Sequence, residues 1–204
     1  MQKSKLKCIN FLFLVRILYG DFMEYFIYFI FYSFIGFLLE TIYSLLSTGT
    51  FILKKCFLFN YLCPVYGFGA ISILFCTKNI KEYKILTMIV GGLIATVVEF
   101  IVHYVYKELI GVSIWDYSDL YLNIQGRVCL TFTLYWIVLS GVLVYLIHPF
   151  VQKNMLNIPN SIAVCILIFV AIDGILSILL YNKFGHKDAV NFNWLISNYL
   201  HKFG

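Results

Sequence analysis

The feature that most constrains this chain is a series of long apolar stretches. About 20 apolar residues are needed for an α-helix to cross the ~30 Å hydrocarbon core of a bilayer. Five stretches approach or reach that length, at about residues 25–46, 57–76, 85–106, 128–147 and 161–181. Because backbone groups in lipid must bond within their own segment, the pattern predicts an all-α fold. We expect a polytopic transmembrane helical bundle of about five spanning helices.

The composition excludes the alternative of a soluble domain. Of the 204 residues, 62% are hydrophobic and only 12% are charged, too few to cover a water-exposed surface. We therefore predict a multi-pass protein of the cell membrane, with the lipid bilayer as its main partner. Basic residues near helix ends account for the net charge of +5, so no nucleic acid partner is expected. The six cysteines have no metal-binding spacing, and we predict neither a metal nor another cofactor.

The two ends of the chain differ from its centre. Residues 1–22 hold an apolar run of about a dozen residues, which is too short to span and predicts a tail or a short amino-terminal interfacial helix. Residues 23–181 form the predicted transmembrane domain. Residues 182–204 form a carboxy-terminal tail with an amphipathic pattern. Within the domain, Pro64 is expected to kink or break the second span, and His148-Pro149 to end the fourth.

Polar residues inside the spans fall at helical spacing. If all five spans cross, the first and third end on the same face, where the second and fourth begin. Glu40 and Glu99 then lie ~10 Å below that face, at ~1.5 Å per residue. His103 follows Glu99 on the same helical stripe. The predicted polar cluster comprises Glu40, Cys63, Pro64, Tyr66, Glu99, His103, Trp115, Asp116, Tyr117, Ser118, Asn123 and Arg127.

Energetics predict where the acids of this cluster point. A charged side chain at the centre of a spanning helix costs about 2.5–3.5 kcal/mol on insertion scales. We therefore expect Glu40 and Glu99 to face the bundle interior and to pair with a base. Arg127 is the favoured partner because its planar fork holds two acceptors, and the alternatives are Lys54, Lys55 or protonated His103.

A purely structural role is the competing interpretation. Buried carboxylates join helices through hydrogen bonds without binding a ligand, and this applies equally to Asp173 in the middle of the fifth span. Trp115 and Tyr117 are also typical headgroup anchors. Asp116 and Ser118 are typical caps of a turn.

Several motifs carry a resemblance to one family. They are GFLLETIY at 36–43, LCPVYGFGA at 62–70, ATVVEF at 95–100, WDYS at 115–118, NIQGRVCL at 123–130 and IHPF at 147–150. The chain resembles, over about residues 26–151, the small bacterial membrane proteins described as putative ABC-transporter type IV, or CmpB-like permeases. It departs at Phe37, where the family has Trp, and at residues 60–64, where the family has Gly-Pro-Leu-Cys-Pro. Loss of that Gly-Pro turn predicts a more helical entry into the second span.

Three functions are compatible with these features. The resemblance implies a transporter permease subunit, whose ATPase must be a separate chain because no GxxxxGK[ST] motif occurs here. A small subunit of this kind is also expected to form a homo-oligomer. The alternatives are a membrane-embedded enzyme acting on a lipid or headgroup, and a sensor or accessory protein. No HExxH or GxSxG signature names a reaction, so no catalytic residue is assigned.

Overall fold

The computed structural model describes the backbone of residues 2–51, 53, 56–154 and 158–203. Side chains are described in the same ranges except at 2–19, 21, 160 and 199–203. The helices are α1 (Gln2–Thr48), α2 (Pro64–Thr77), α3 (Lys84–Tyr104), α4 (Leu130–Val142), α5 (His148–Asn154), α6 (Asn160–Phe184) and α7 (Phe192–Phe203). Two π-helical turns, Val105–Ile110 and Leu143–Ile147, continue α3 and α4.

In the described part of the chain, four helical segments are long and apolar enough to cross a membrane. They are Phe22–Thr48, Lys84–Ile110, Leu130–Asn154 and Ser161–Phe184. The 14-residue α2 is about 21 Å long and falls short of the hydrocarbon thickness. The all-α, multi-span architecture agrees with the prediction, but the five expected spans are four long ones and a shorter helix.

The predicted second span is discontinuous. Residues 56–63 are not helical, and α2 begins at Pro64. Proline is tolerated at this first helical position because a backbone N–H there would have no acceptor within the helix. The break expected at Pro64 is confirmed, whereas the more helical entry expected before it is wrong. The backbone N–H of Cys63 donates to the Ser33 carbonyl at 2.9 Å, near the middle of the spanning part of α1. Helix α2 therefore starts deep inside the bundle.

Two helix boundaries also differ from expectation. The segment predicted as a separate amino-terminal interfacial helix belongs to α1, which runs without a break from Gln2 to Thr48. The fourth span does not end at His148-Pro149, because α5 carries it on to Asn154. Pro149 lies in the first turn of α5, where proline is tolerated, and the π-helical turn before it shifts the hydrogen-bond register.

Glycines set the spacing of the helices around the bundle interior. Helix α2 packs against α1 and α3, and α3 packs against α4. A Cβ on Gly92 of α3 would lie 2.7 Å from the backbone nitrogen of Ile137 in α4, a distance that no side chain permits. A Cβ on Gly36 of α1 would overlap the Tyr66 ring of α2. These close approaches fix where the side chains between the four helices lie.

Candidate functional site

A cavity of about 130 Å³ lies between α1, α2, α3 and α4, next to the loop at 111–129. It is lined by two carboxylates, those of Glu40 and Glu99, and by a set of aromatic rings on three of the helices, the loop and the π-helical turn after α3. The aromatic side chains are Tyr43, Tyr66, Tyr106, Trp115, Tyr117, Phe132 and Trp136. Of the predicted cluster, the cavity brings together Glu40, Cys63, Pro64, Tyr66, Glu99, Trp115 and Tyr117.

Glu99 of α3 is the buried acid of this cavity, with 4% of its surface exposed. Its Oε1 accepts a hydrogen bond from the Tyr117 hydroxyl at 3.0 Å, and its Oε2 accepts one from the Trp136 indole N–H at 2.8 Å. Within the described residues no basic side chain forms an ion pair with it. The carboxylate is thus held by two neutral donors and faces an open volume.

Glu40 of α1 is half-buried and borders the same volume. Its Oε1 accepts a hydrogen bond from the Tyr66 hydroxyl at 2.9 Å. The Tyr66 ring in turn lies edge-on to the Trp136 ring, with centroids 5.3 Å apart. A continuous series of contacts therefore joins the two acids through Tyr66 and Trp136. The alternative partners Lys54 and Lys55 lie outside the described residues.

Trp136 is a part of this site that the sequence reasoning missed. An indole N–H inside hydrocarbon needs a hydrogen-bond acceptor, and Trp136 lies at the centre of the apolar α4. Helices α3 and α4 are neighbours in sequence and run in opposite directions, so the depth of Glu99 in α3 matches that of Trp136. The matching depth of the two residues in the sequence was therefore the signal that could have indicated Trp136 as a partner of Glu99.

Arg127 does not pair with Glu40 or Glu99, and the expectation that it would is wrong. Its Nη2 donates to Glu108 Oε1 at 2.8 Å, and its guanidinium lies over the rings of Phe100 and Tyr104, at 5.1 and 4.9 Å. Glu108 is exposed, so its charge costs less there than that of a buried acid. The π-helical turn that carries Glu108 places it beside the loop from which Arg127 comes.

His103 contacts the loop and not the two acids. Its Nε2 lies 3.0 Å from the Trp115 carbonyl oxygen and 3.3 Å from Ser113 Oγ. Its ring lies edge-on to the Trp115 ring, with centroids 5.1 Å apart. The predicted ion pair of His103 with Glu40 or Glu99 is therefore not formed, and His103 positions Trp115 at the cavity wall.

The loop motifs WDYS and NIQGR bind each other. Asp116 Oδ1 accepts hydrogen bonds from the Ser118 amide at 2.9 Å and from the Ser118 hydroxyl, which hold the pKa of Asp116 below its usual range. Asn123 Nδ2 donates to the Ser118 carbonyl at 2.9 Å, and Tyr117 N–H donates to the Gly126 carbonyl at 2.8 Å. Asp116, Ser118 and Asn123 thus shape the loop, while Tyr117 reaches Glu99.

The non-helical segment before α2 forms another part of the cavity wall. Cys63 and Pro64 line the cavity there, and Cys63 Sγ lies 3.6 Å from the Sγ of Cys56. Asp173 of α6 lies outside the cavity, and its carboxylate contacts backbone and side-chain N–H groups of this segment. Its Oδ2 accepts hydrogen bonds from the backbone N–H and the side-chain Nδ2 of Asn60, both at 2.8 Å.

Long apolar helices, a discontinuous span and a pair of acids that border one cavity inside the bundle together define a multi-pass α-helical membrane protein. A comparison with protein-family models matches residues 27–178 to the family described as Putative ABC-transporter type IV. The match covers most of the chain, which therefore belongs to this family, as its motifs indicated. Comparisons with curated proteins and with solved structures found no match.

Proposed function

We propose that the protein is the membrane-spanning permease subunit of a transporter, and that its substrate binds in the cavity between α1, α2, α3 and α4. The observation that carries this proposal is Glu99. A carboxylate with 4% exposure faces the cavity inside an apolar bundle, and its partners among the described residues are the neutral donors Tyr117 and Trp136. Ionisable groups kept at such positions against their insertion cost are typical of substrate and ion pathways.

The discontinuous second span supports the same proposal. Membrane transporters commonly place their binding sites where a spanning helix is interrupted, because the interruption exposes polar backbone and leaves room for a ligand. Here the interruption at Cys63 and Pro64 borders the cavity directly. A protein that only needed to fill the membrane would gain nothing from this irregular backbone.

We place the energy source for transport in another chain as part of this proposal. The family description refers to ABC transport, but the sequence holds no phosphate-binding GxxxxGK[ST] loop. We therefore propose a separate ATPase subunit as partner. The small number of spans also favours a homo-oligomer, in which two or more copies complete the pathway.

Purification of the tagged full-length chain, with its surrounding lipid, tests this assignment. We expect an ATPase subunit to copurify from the membranes of the organism that makes the protein, and mass spectrometry identifies it. We expect the Glu99→Gln variant to keep that partner, and Glu82→Gln, which removes an exposed acid from the turn between α2 and α3, to behave like the parent. A chain that copurifies with no ATPase and alone converts a lipid would refute the permease assignment.

A further inference from the structure

We propose that the ligand of this cavity is a small organic cation, an amine or a quaternary ammonium compound. This inference names the substrate class of the proposed permease site and rests on that proposed function only for the claim that the ligand crosses the membrane. Three features of the cavity carry it: its charge, its aromatic walls and the number of oxygen atoms that it offers.

Among the described residues that line the cavity, the charged side chains are the acids Glu40 and Glu99. In its ionised form Glu99 brings a full negative charge, and its described hydrogen-bond partners, Tyr117 and Trp136, are neutral. The amino-terminal end of α2 also borders the cavity and contributes about half a positive charge, which offsets only part of one carboxylate. A carboxylate accepts about four hydrogen bonds, and Glu99 accepts two, so it retains capacity for a donor on the ligand. An anionic or apolar ligand would leave that charge uncompensated.

The aromatic walls favour an organic cation. The faces of Trp, Tyr and Phe rings attract cations, and cages of such rings are the usual recognition device for quaternary ammonium groups. Trp136 and Tyr66 meet edge to face, and Tyr117 stacks on Phe132 with ring centroids 4.5 Å apart. Two pairs of rings are thus already ordered around the acids, so binding does not require their immobilisation.

A metal ion fits this site poorly. Calcium takes six to eight oxygen ligands and magnesium requires octahedral coordination. No group of three or more His, Cys, Asp or Glu side chains that suits a metal occurs in the part of the chain that the structure describes. The phenol hydroxyls of Tyr66 and Tyr117 already donate to the acids. A volume of about 130 Å³ also exceeds what a bare ion needs.

Binding of tritiated choline to the full chain in lipid nanodiscs tests the proposal. Choline is compared with 3,3-dimethylbutan-1-ol, its neutral counterpart of the same shape, and with sodium and potassium. We expect saturable choline binding that tetramethylammonium competes away and that the neutral alcohol and the two metal ions do not. We expect Glu99→Gln to weaken choline binding at least about tenfold, because a single charge–charge contact in a desolvated site is worth that much. Glu82→Gln should bind choline like the parent.

Two further variants separate the aromatic ring from the hydrogen bond to Glu99. Trp136→Phe keeps a ring at the wall and removes the indole N–H, whereas Trp136→Leu removes both. We expect Trp136→Leu to weaken choline binding more than Trp136→Phe, and each variant is first checked for an unchanged melting temperature. This pair keeps the proposal testable if Glu99→Gln fails to fold.

Three results would overturn the cation assignment: no saturable binding of choline or tetramethylammonium, equal binding of the neutral alcohol, or displacement by sodium at lower concentration. Failure of the cation site is distinguished from failure of the permease assignment by measuring choline flux into vesicles that contain the chain and its ATPase. Binding without flux leaves the cation site in place and refutes transport. Flux of an anionic or neutral compound supports transport and refutes the cation site.

Discussion

Replacing Asp173 with alanine should destabilise the discontinuous second span. Asp173 has 1% of its surface exposed and lies near the middle of α6. Its two oxygens accept a shared hydrogen bond from the Phe59 N–H at 3.1 Å, and Oδ2 accepts the backbone N–H and Nδ2 of Asn60 at 2.8 Å. This carboxylate therefore supplies the acceptors that the non-helical backbone at 56–63 lacks in lipid.

The magnitude follows from the donors that alanine would leave unpaired. Three N–H groups lose their acceptor, two on the backbone and one on the Asn60 side chain. Each unsatisfied buried donor costs about 1–3 kcal/mol. Because Phe59 is exposed and Asn60 is half-buried, we take the low end and expect a loss of about 3 kcal/mol in the free energy of unfolding. Asp173→Asn should also destabilise, because its new NH₂ group would face N–H groups that can donate a hydrogen bond but cannot accept one.

The assay is equilibrium unfolding of the purified chain in mixed micelles, followed by circular dichroism. Asp119→Ala is the matched control, because it removes an exposed aspartate from the loop and should unfold like the parent. If Asp173→Ala unfolds like the parent but no longer binds choline, Asp173 acts as a ligand group and the capping argument fails. A parallel loss of stability in Asp119→Ala would mean that removal of any acid has this effect.

Three further perturbations test other contacts. Gly92→Ala should cost about 1–3 kcal/mol of unfolding free energy because α3 and α4 must separate, whereas Gly69→Ala, with open space around its Cβ, should be neutral or slightly stabilising. Gly126→Ala should lower the melting temperature more than Gly111→Ala, because both have positive φ but only the first would overlap neighbouring side chains. The pKa of Asp116 is lowered in the folded loop, so its stabilisation is present above the ordinary aspartate pKa and lost as pH falls through the lower folded value. Tryptophan fluorescence should report that acidic transition in the parent chain and not in Asp116→Asn.

The positions of the spans could be predicted because lipid imposes one rule on every segment. Apolar length decides which segments cross, and alternation of direction then decides which helix ends meet. Glu40 and Glu99 come from segments about 60 residues apart, and that rule predicts them in one half of the bundle. The structure has both bordering one cavity. No knowledge of packing was needed for this step.

The partners of those acids could not be predicted in the same way. Pairing depends on side-chain reach and on local irregularities that leave no apolar signature. The π-helical turn Val105–Ile110 brings Glu108 to Arg127, and a sequence pattern of regular helices does not anticipate it. The non-helical entry at 56–63 depends on Asp173, more than a hundred residues later in the chain. Such a long-range contact is invisible to a residue-by-residue analysis.

Asp173 and Glu99 differ in whether the groups that donate hydrogen bonds to them can also accept one. Asp173 faces two backbone N–H groups and the side-chain NH₂ of Asn60, which only donate, so its acceptor capacity is committed to holding the chain. Glu99 faces a tyrosine hydroxyl, which can donate or accept, and one indole N–H. Glutamine at position 99 can therefore accept from Trp136 and donate to Tyr117, whereas asparagine at 173 has no such exchange. Loss of charge should thus spare the fold at Glu99 and damage it at Asp173, as expected if one acid serves a ligand and the other serves the backbone.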